Sequence, residues 1–168
     1  MQLHWHRRDL RLADNRGLAA ATDSGDAAGL FVFDPGVLDH GAPARVAFML
    51  DALDSLRDAY RGRDSDLLVA HGDPAEVVPE VASALDADGV TWCRDYTGLA
   101  RERDAAVRQA LDDADIEREA VQDAVHHEPG EITTNDGDPY KEFTYFSKKR
   151  HDSEKLSVAD PPHSDRPA

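Results

Sequence analysis

The sequence predicts an α/β fold: a five-stranded parallel sheet with helices on both faces, Rossmann-like in its alternation. Strand-like segments recur five times between residues 3 and 121. Each of the first four is followed by a stretch with helical spacing of its apolar residues. Turn residues such as Asp34-Pro35-Gly36 and His71-Gly72-Asp73-Pro74 separate them. Strands that alternate with helices build βαβ units with right-handed crossovers. At 168 residues the chain is about one domain long. A chain of that size buries roughly 70% of its unfolded surface and needs no disulfide or metal staple.

Leu3 to His6 is the first strand, and Asn15 to Thr22 the first helix, with Asp14 expected as its N-cap. Ala28 to Phe33 (AGLFVF) is a continuous apolar strand closed by the Asp34-Pro35-Gly36 turn. Pro43 to Tyr60 places Val46, Met49, Leu50, Leu53 and Leu56 at helical spacing, with proline in the first turn where its missing N–H does no harm. Asp66 to Ala70 (DLLVA) is the third strand. A helix opens at Pro74 and runs through Val77, Val78, Val81 and Leu85. Gly89 to Cys93 (GVTWC) is the fourth strand, Ala100 to Asp113 the fourth helix, and Ile116 to Val121 a weaker fifth strand. His126 to Pro139 reads as loop, Tyr140 to Arg150 as a short basic, aromatic helix, and Asp160 to Ala168 as linker without core residues. The division expected is a domain over 1–150 and an interdomain linker or disordered tail over 151–168.

Ligands of open parallel sheets bind beyond the carboxyl ends of the strands, where strand order reverses. Arg7 and Arg8, Asp34, His71-Gly72-Asp73 and Asp95 all follow strand ends, so they are expected along one rim.

The formal net charge is -15, from 34 acidic and 19 basic residues. Such self-repulsion lowers stability at low salt, and the composition reads as salt adaptation; an acidic face for a basic partner is the rival reading. Binding of nucleic acid over the whole surface is disfavoured, because it rests on many Lys and Arg contacts to phosphates. No apolar run reaches the length of a membrane span, and the first residues lack a secretory pattern, so a cytoplasmic protein is expected. The one cysteine, Cys93, excludes an internal disulfide and a four-cysteine zinc site, and reads as a small core residue.

Neither GxGxxG nor a P-loop is present. The Gly72-Asp73-Pro74 turn is a strand-to-helix turn whose N–H groups remain available to an anion. His4 and His6 share one side of a strand, but two ligands do not make a zinc site and no third lies nearby in sequence; His126-His127 is no stronger. Arg7, Arg8 and Arg11 admit two readings. They either pair with Asp9 and Asp14 to fix the loop, or aim at least one guanidinium at an anionic or polar ligand.

The stretch HWHRRDLRLADN at 4–15 resembles the opening signature of the DNA photolyase/cryptochrome family. LFVFDPGVL at 30–38, PARVAFMLDALDSL at 43–56, LLVAHGDP at 67–74, VTWCRDYTGLARERD at 90–104 and GEITTNDGDPYKEFTYF at 130–146 are similar, in order, to later landmarks of its amino-terminal domain. The resemblance implies the α/β domain that holds a light-harvesting antenna. In the family, FAD and the damaged DNA belong to a second, helical domain, so neither FAD nor a catalytic residue is expected in this chain. That helical domain, in cis or in trans, is the implied partner; DNA is met only through it, and no membrane is involved.

The PARVAF, FDP and WCRD segments most resemble members with an 8-hydroxy-5-deazaflavin antenna, with methenyltetrahydrofolate and FMN as alternatives. By position, the resemblance implies a pocket of Arg8, Phe31, Asp34, Arg45, Asp95, Leu99 and Arg101. Phe31 and Phe33 supply an apolar wall, with strand alternation expected to turn them to opposite faces. Arg8, Arg45, Asp34 and Asp95 meet the polar edge of the ring. Excitation passes to the flavin by dipole coupling, which makes docking of the two domains decisive. Two departures stand out: His4 replaces a usually apolar strand residue, and Tyr96-Thr97-Gly98 is not the usual loop. The other functions open to the sequence are a free-standing nucleotide-binding or protein-interaction module and a remnant that binds nothing.

Salt adaptation predicts that the thermal midpoint, followed by circular dichroism, rises between about 0.1 M and about 1 M KCl, as the Debye length shrinks from about 10 Å to about 3 Å. A flat or falling midpoint would contradict it.

Overall fold

The computed structural model describes residues 1–23 and 25–162. Strands and helices alternate: β1 (Gln2–His6), α1 (Arg16–Asp23), β2 (Ala27–Phe33), α2 (Pro35–Leu38), α3 (Pro43–Arg61), β3 (Leu67–His71), α4 (Pro74–Ala84), β4 (Gly89–Cys93), α5 (Gly98–Asp113), β5 (Glu117–Val121) and α6 (Phe143–Asp152). The strands form one parallel sheet in the order β3-β2-β1-β4-β5. The expected five-stranded α/β architecture is therefore present, and strand order reverses between β1 and β4.

Alternation along the three inner strands sorts their side chains between two cores. Leu3 and Trp5, Leu30 and Val32, and Val90 and Trp92 face α4 and α5, where they meet Val78, Ala82, Val107 and Leu111. Phe31 turns the other way and packs with Leu18 of α1 and with Leu53, Leu56 and Tyr60 of α3. Both tryptophans are almost fully buried. Each aromatic of this size removes roughly 150–250 Å² from water, which contributes about 4–6 kcal/mol as an upper bound.

Helix starts follow local chemistry. Asp73 accepts from Ala75 N and Thr97 from Ala100 N, capping α4 and α5. Asp34 accepts from Gly36 N and caps a single helical turn, α2, where the sequence suggested only a turn. The cap of α1 is Asn15, whose Oδ1 accepts from Leu18 N at 3.0 Å. Asp14 was expected there, but its φ of 51° is left-handed, whereas an N-cap is extended. Its carboxylate instead accepts from Ala159 N at 3.0 Å. Three other aspartates, Asp64, Asp86 and Asp115, also take left-handed φ, just beyond the ends of α3, α4 and α5. Helices commonly end on glycine in this conformation, and aspartate is among the few residues with a side chain that tolerate it.

Two apolar runs are less buried than their composition suggests. β3 is an edge strand, and Leu68 and Val69 are exposed. In the first half of α3 Met49 reaches the core beside Phe31, but Phe48 and Leu50 are exposed, while Leu53, Leu56 and Tyr60 are buried. The tail after α6 lies along α1, where Arg16 Nη1 donates to Ser157 O at 3.0 Å. Pro162 is buried, so the segment from Asp160 does carry one packed residue, contrary to expectation. The rest of that segment, 163–168, lies outside the described residues.

A close approach fixes α3 against the sheet. A Cβ on Gly29 would collide with the phenol of Tyr60, which is fully buried. Gly29→Ala should cost about 1–3 kcal/mol through overpacking, read as a lower urea midpoint with unchanged slope.

Candidate functional site

The site is built at the carboxyl ends of the inner strands. Two consecutive arginines leave β1 in different directions. Arg7 turns inward: its guanidinium donates to the buried Asp104 carboxylate of α5 and to the carbonyl of Cys93 at the end of β4. It also lies 5.0 Å from the ring centroid of Trp5. Asp104 accepts a further bond from Trp92 Nε1 at 3.2 Å and faces Arg108 of its own helix at 3.7 Å. Burial draws the Arg7 guanidinium below its usual range, and the Asp104 charge opposes that shift.

Arg8 points outward with a side chain 63% exposed, and its Nη1 lies 3.5 Å from Asp95 Oδ1. Asp95 also accepts from Thr97 N at 3.2 Å. Partial burial pushes the Asp95 carboxyl up, but the Thr97 N–H and Arg8 outweigh it and hold the group below the ordinary aspartate value. Asp34, besides capping α2, lies 3.7 Å from Arg103 Nη1. Arg103 also stacks on Trp5, at 5.3 Å, and its buried Nε has no hydrogen-bond partner among the described residues.

These groups surround a cavity of about 230 Å³. Its walls include Trp5, Phe31, Phe33, Val37, Met49 and Leu99; its polar groups include Arg8, Asp34, Asp95 and Arg103. Five of the seven residues named from the sequence come together here: Arg8, Phe31, Asp34, Asp95 and Leu99. Arg45 and Arg101 are exposed and stand outside the lining. Arg45 donates to His40 O at 3.3 Å, one turn before Met49 on α3. Phe31 and Phe33 do not face opposite ways. Residues two apart in a strand share a face, and the rings meet edge to face at 5.1 Å.

Arg103 was missed from the sequence, although its signal was available: it lies four residues after Leu99 on α5, hence on the same helical face. Of the opening arginines, Arg11 serves the loop, donating to Asp14 O and to Asp123 at 2.8 Å. The pairing partners are thus Asp104, Asp95 and Asp123 rather than the neighbouring Asp9 side chain.

Behind the rim, β1 buries both its histidines on the α1/α3 side. His6 Nδ1 lies 3.2 Å from the carbonyl of Asp9, which can only accept, so Nδ1 carries the proton. Nε2 then accepts from Tyr60 OH at 2.8 Å. Burial and the neighbouring His4 lower the His6 pKa to about 3, so this ring is neutral.

The fold is an open, doubly wound α/β domain, with its cavity at the switch point of the strand order. The family model described as DNA photolyase matches residues 2–166, and the chain belongs to that family. It is 57% identical over 172 residues to the deoxyribodipyrimidine photo-lyase of Halobacterium salinarum, an alignment covering 96% of this chain and 36% of that protein. Its fold matches a cryptochrome from Synechocystis with a TM-score of 0.87 at 23% identity, over 96% of this chain and 36% of that one. An archaeal photolyase from Sulfolobus tokodaii, solved with two FAD molecules and the implication of a novel light-harvesting cofactor, matches with a TM-score of 0.79 at 26% identity. That match covers 95% of this chain and 36% of the archaeal one. The chain thus spans about a third of the length of these relatives.

Removing one partner of a buried ion pair leaves the other uncompensated. Arg7→Ala should therefore cost about 3–5 kcal/mol, measured by denaturant unfolding. A loss below about 1 kcal/mol, typical of exposed pairs, would show that the pair does not organise the rim.

Proposed function

We propose that this chain is the antenna-chromophore-binding domain of a photolyase or cryptochrome, which works in light-driven repair or sensing together with a helical FAD domain. The observation that carries this reading is the rim cavity, where an aromatic and aliphatic wall faces a small set of polar groups. Small-molecule sites combine these two features. Membership of the family supports it further.

The residues present suit a flat, polar-edged heterocycle. Phe31, Trp5 and Leu99 offer apolar contact to its faces. The partnerless Nε of Arg103 is a donor left over for a ring carbonyl, and Arg8 and Asp95 offer a donor and an acceptor at the mouth. Arg45 and Arg101, outside the lining, are given at most a peripheral part in holding the ligand. We assign the pocket to a deazaflavin-type antenna, with folate and FMN as competing ligands. When bound, such a group absorbs light and passes the excitation on without a bond being made or broken. The chain's own task is to hold the ring rigidly and exclude water, so no acid, base or nucleophile is required.

We further assign residues 1–150 to this domain and 151–168 to the connection toward the helical partner. The exposed apolar side chains Phe48, Phe143 and Tyr145 support a docking surface for it. The acid-rich composition supports operation in concentrated salt.

Purified protein should take up 8-hydroxy-5-deazariboflavin at micromolar concentration, seen as a shifted absorption band and quenched fluorescence. Arg8→Ala, Phe31→Ala and Asp95→Asn should each weaken binding about tenfold or more, where tenfold corresponds to about 1.4 kcal/mol. Arg45→Ala and Arg101→Ala should cost less. Tight binding of ATP with no uptake of deazaflavin, folate or FMN would overturn the proposal in favour of a nucleotide-binding module.

A further inference from the structure

A second group of functional side chains lies beneath the rim, on the α1 side of the sheet. A ring nitrogen of His4, an Asp9 carboxylate oxygen and Cys93 Sγ all lie within 4.8 Å of one another, and all three residues are buried. The sequence offered His4 and His6 as a possible pair with no third ligand nearby. The fold changes the partners, bringing Asp9 from the loop after β1 and Cys93 from the end of β4. His6 has both its nitrogens engaged, as described above, and is not a donor to this group.

His4 is the informative member. Its side chain is fully buried, and Nδ1 lies 2.9 Å from Thr91 Oγ1. The Thr91 hydroxyl donates its one proton to the carbonyl of Gly17 at 3.0 Å, so it accepts from His4 and Nδ1 carries the hydrogen. When the ring is neutral, Nε2 turns its lone pair into the cluster. Among the described residues it has no hydrogen-bond partner, and Asp9 Oδ2 lies 3.4 Å away. A lone pair facing a carboxylate in a dry interior is unfavourable unless a positive charge lies between them. Asp9 Oδ2 meanwhile receives Asn15 Nδ2 at 3.1 Å, and Cys93 Sγ lies 3.3 Å from Asn15 Oδ1.

We propose that His4, Asp9 and Cys93 form a binding site for one thiophilic divalent cation of the zinc type. Nitrogen, oxygen and sulfur donors are the set zinc accepts, and three protein ligands are the number used where a fourth position stays open. Binding releases the thiol proton to solvent as the zinc–thiolate bond forms. One Zn²⁺, one carboxylate and one thiolate sum to zero, so the buried site is neutral when filled. The Nδ1–H bond to Thr91 is the outer contact that orients a ligating histidine. A cleft of about 260 Å³ at the β1/β4 switch is bordered by both Asp9 and Cys93 and is the side from which an ion would approach. The arginines beside it are already matched, Arg11 by Asp123 and Arg94 by Glu128. Gly17 lets α1 close over the group, since a Cβ there would sit 2.6 Å from His4 Cε1 and 2.9 Å from Cys93 Sγ.

The test is titration of chelator-treated protein with Co²⁺, followed by absorption. Cys93 is the one cysteine in the chain, so a sulfur-to-cobalt charge-transfer band reports this residue without any variant. One equivalent of Co²⁺ should produce that band together with visible d–d bands, and Zn²⁺ should abolish both. Thr91→Val should weaken binding about tenfold to a hundredfold, as loss of an orienting contact does. Zn²⁺ should raise the melting temperature of the parent protein but not of Cys93→Ala. Absence of the charge-transfer band in folded protein would overturn the proposal, because a proton on His4 would then suffice. A zinc-dependent rise in melting temperature that persists in Cys93→Ala would also overturn it, by placing the metal on surface histidines. The band is independent of antenna binding, so failure here and failure of the chromophore reading are separable.

Discussion

The rim depends on one buried contact, the guanidinium of Arg7 between the Asp104 carboxylate and the Cys93 carbonyl. It joins the ends of β1 and β4 to α5 at the point where strand order reverses. Sheets of this type open there because helices depart to opposite faces, and without a tie the two strand ends would be free to splay. The tie is also selective. Arginine offers several donors in a fixed plane, so one side chain can serve a carboxylate and a carbonyl and still stack on Trp5. Lysine, with a point charge, could not hold that geometry. Once Arg7 is committed inward, its neighbour leaves the strand on the other side. Arg8 therefore faces solvent and Asp95.

That division of labour explains why the opening arginines were ambiguous in the sequence. Three guanidiniums in five positions can be structural, functional or both, and sequence spacing holds no record of burial. The deciding partners, Asp104, Asp95 and Asp123, lie between 87 and 112 residues away in the chain. By contrast, the elements themselves were legible, because apolar period and turn chemistry are local. GVTWC begins and ends as the strand does. Boundaries slipped by a residue or two where a cap decided them: Asp14 and Asn15 are both good caps by type, and only the backbone angle of Asp14 excludes it.

Burial was the less legible quantity. DLLVA and the first half of α3 are apolar enough for a core, yet Leu68, Val69, Phe48 and Leu50 remain exposed. β3 has a neighbour on one side alone, and an edge position cannot be read from the strand's own composition. The site shows the same pattern. Arg8, Phe31, Asp34, Asp95 and Leu99 converge because they sit at strand ends or at the start of the helix that follows. Arg103 joins them from the second turn of α5, through helical periodicity instead of strand position.

The acid content of the chain and its cationic rim are consistent once screening is considered. A formal charge of -15 is distributed over exposed aspartates, and counterions approach those directly. At about 1 M salt, the Debye length of about 3 Å suppresses their repulsion. Buried charges are screened much less. Asp104 and Asp9 must therefore be met by protein groups at any ionic strength: Asp104 by Arg7, and Asp9 by the N–H groups of Arg7 and Asn15. A surface loaded with carboxylates can thus change with the medium while the rim geometry does not. Of the three arginines in the first loop, Arg7 is the one placed where solvent cannot substitute for it; Arg8 and Arg11 remain open to the medium.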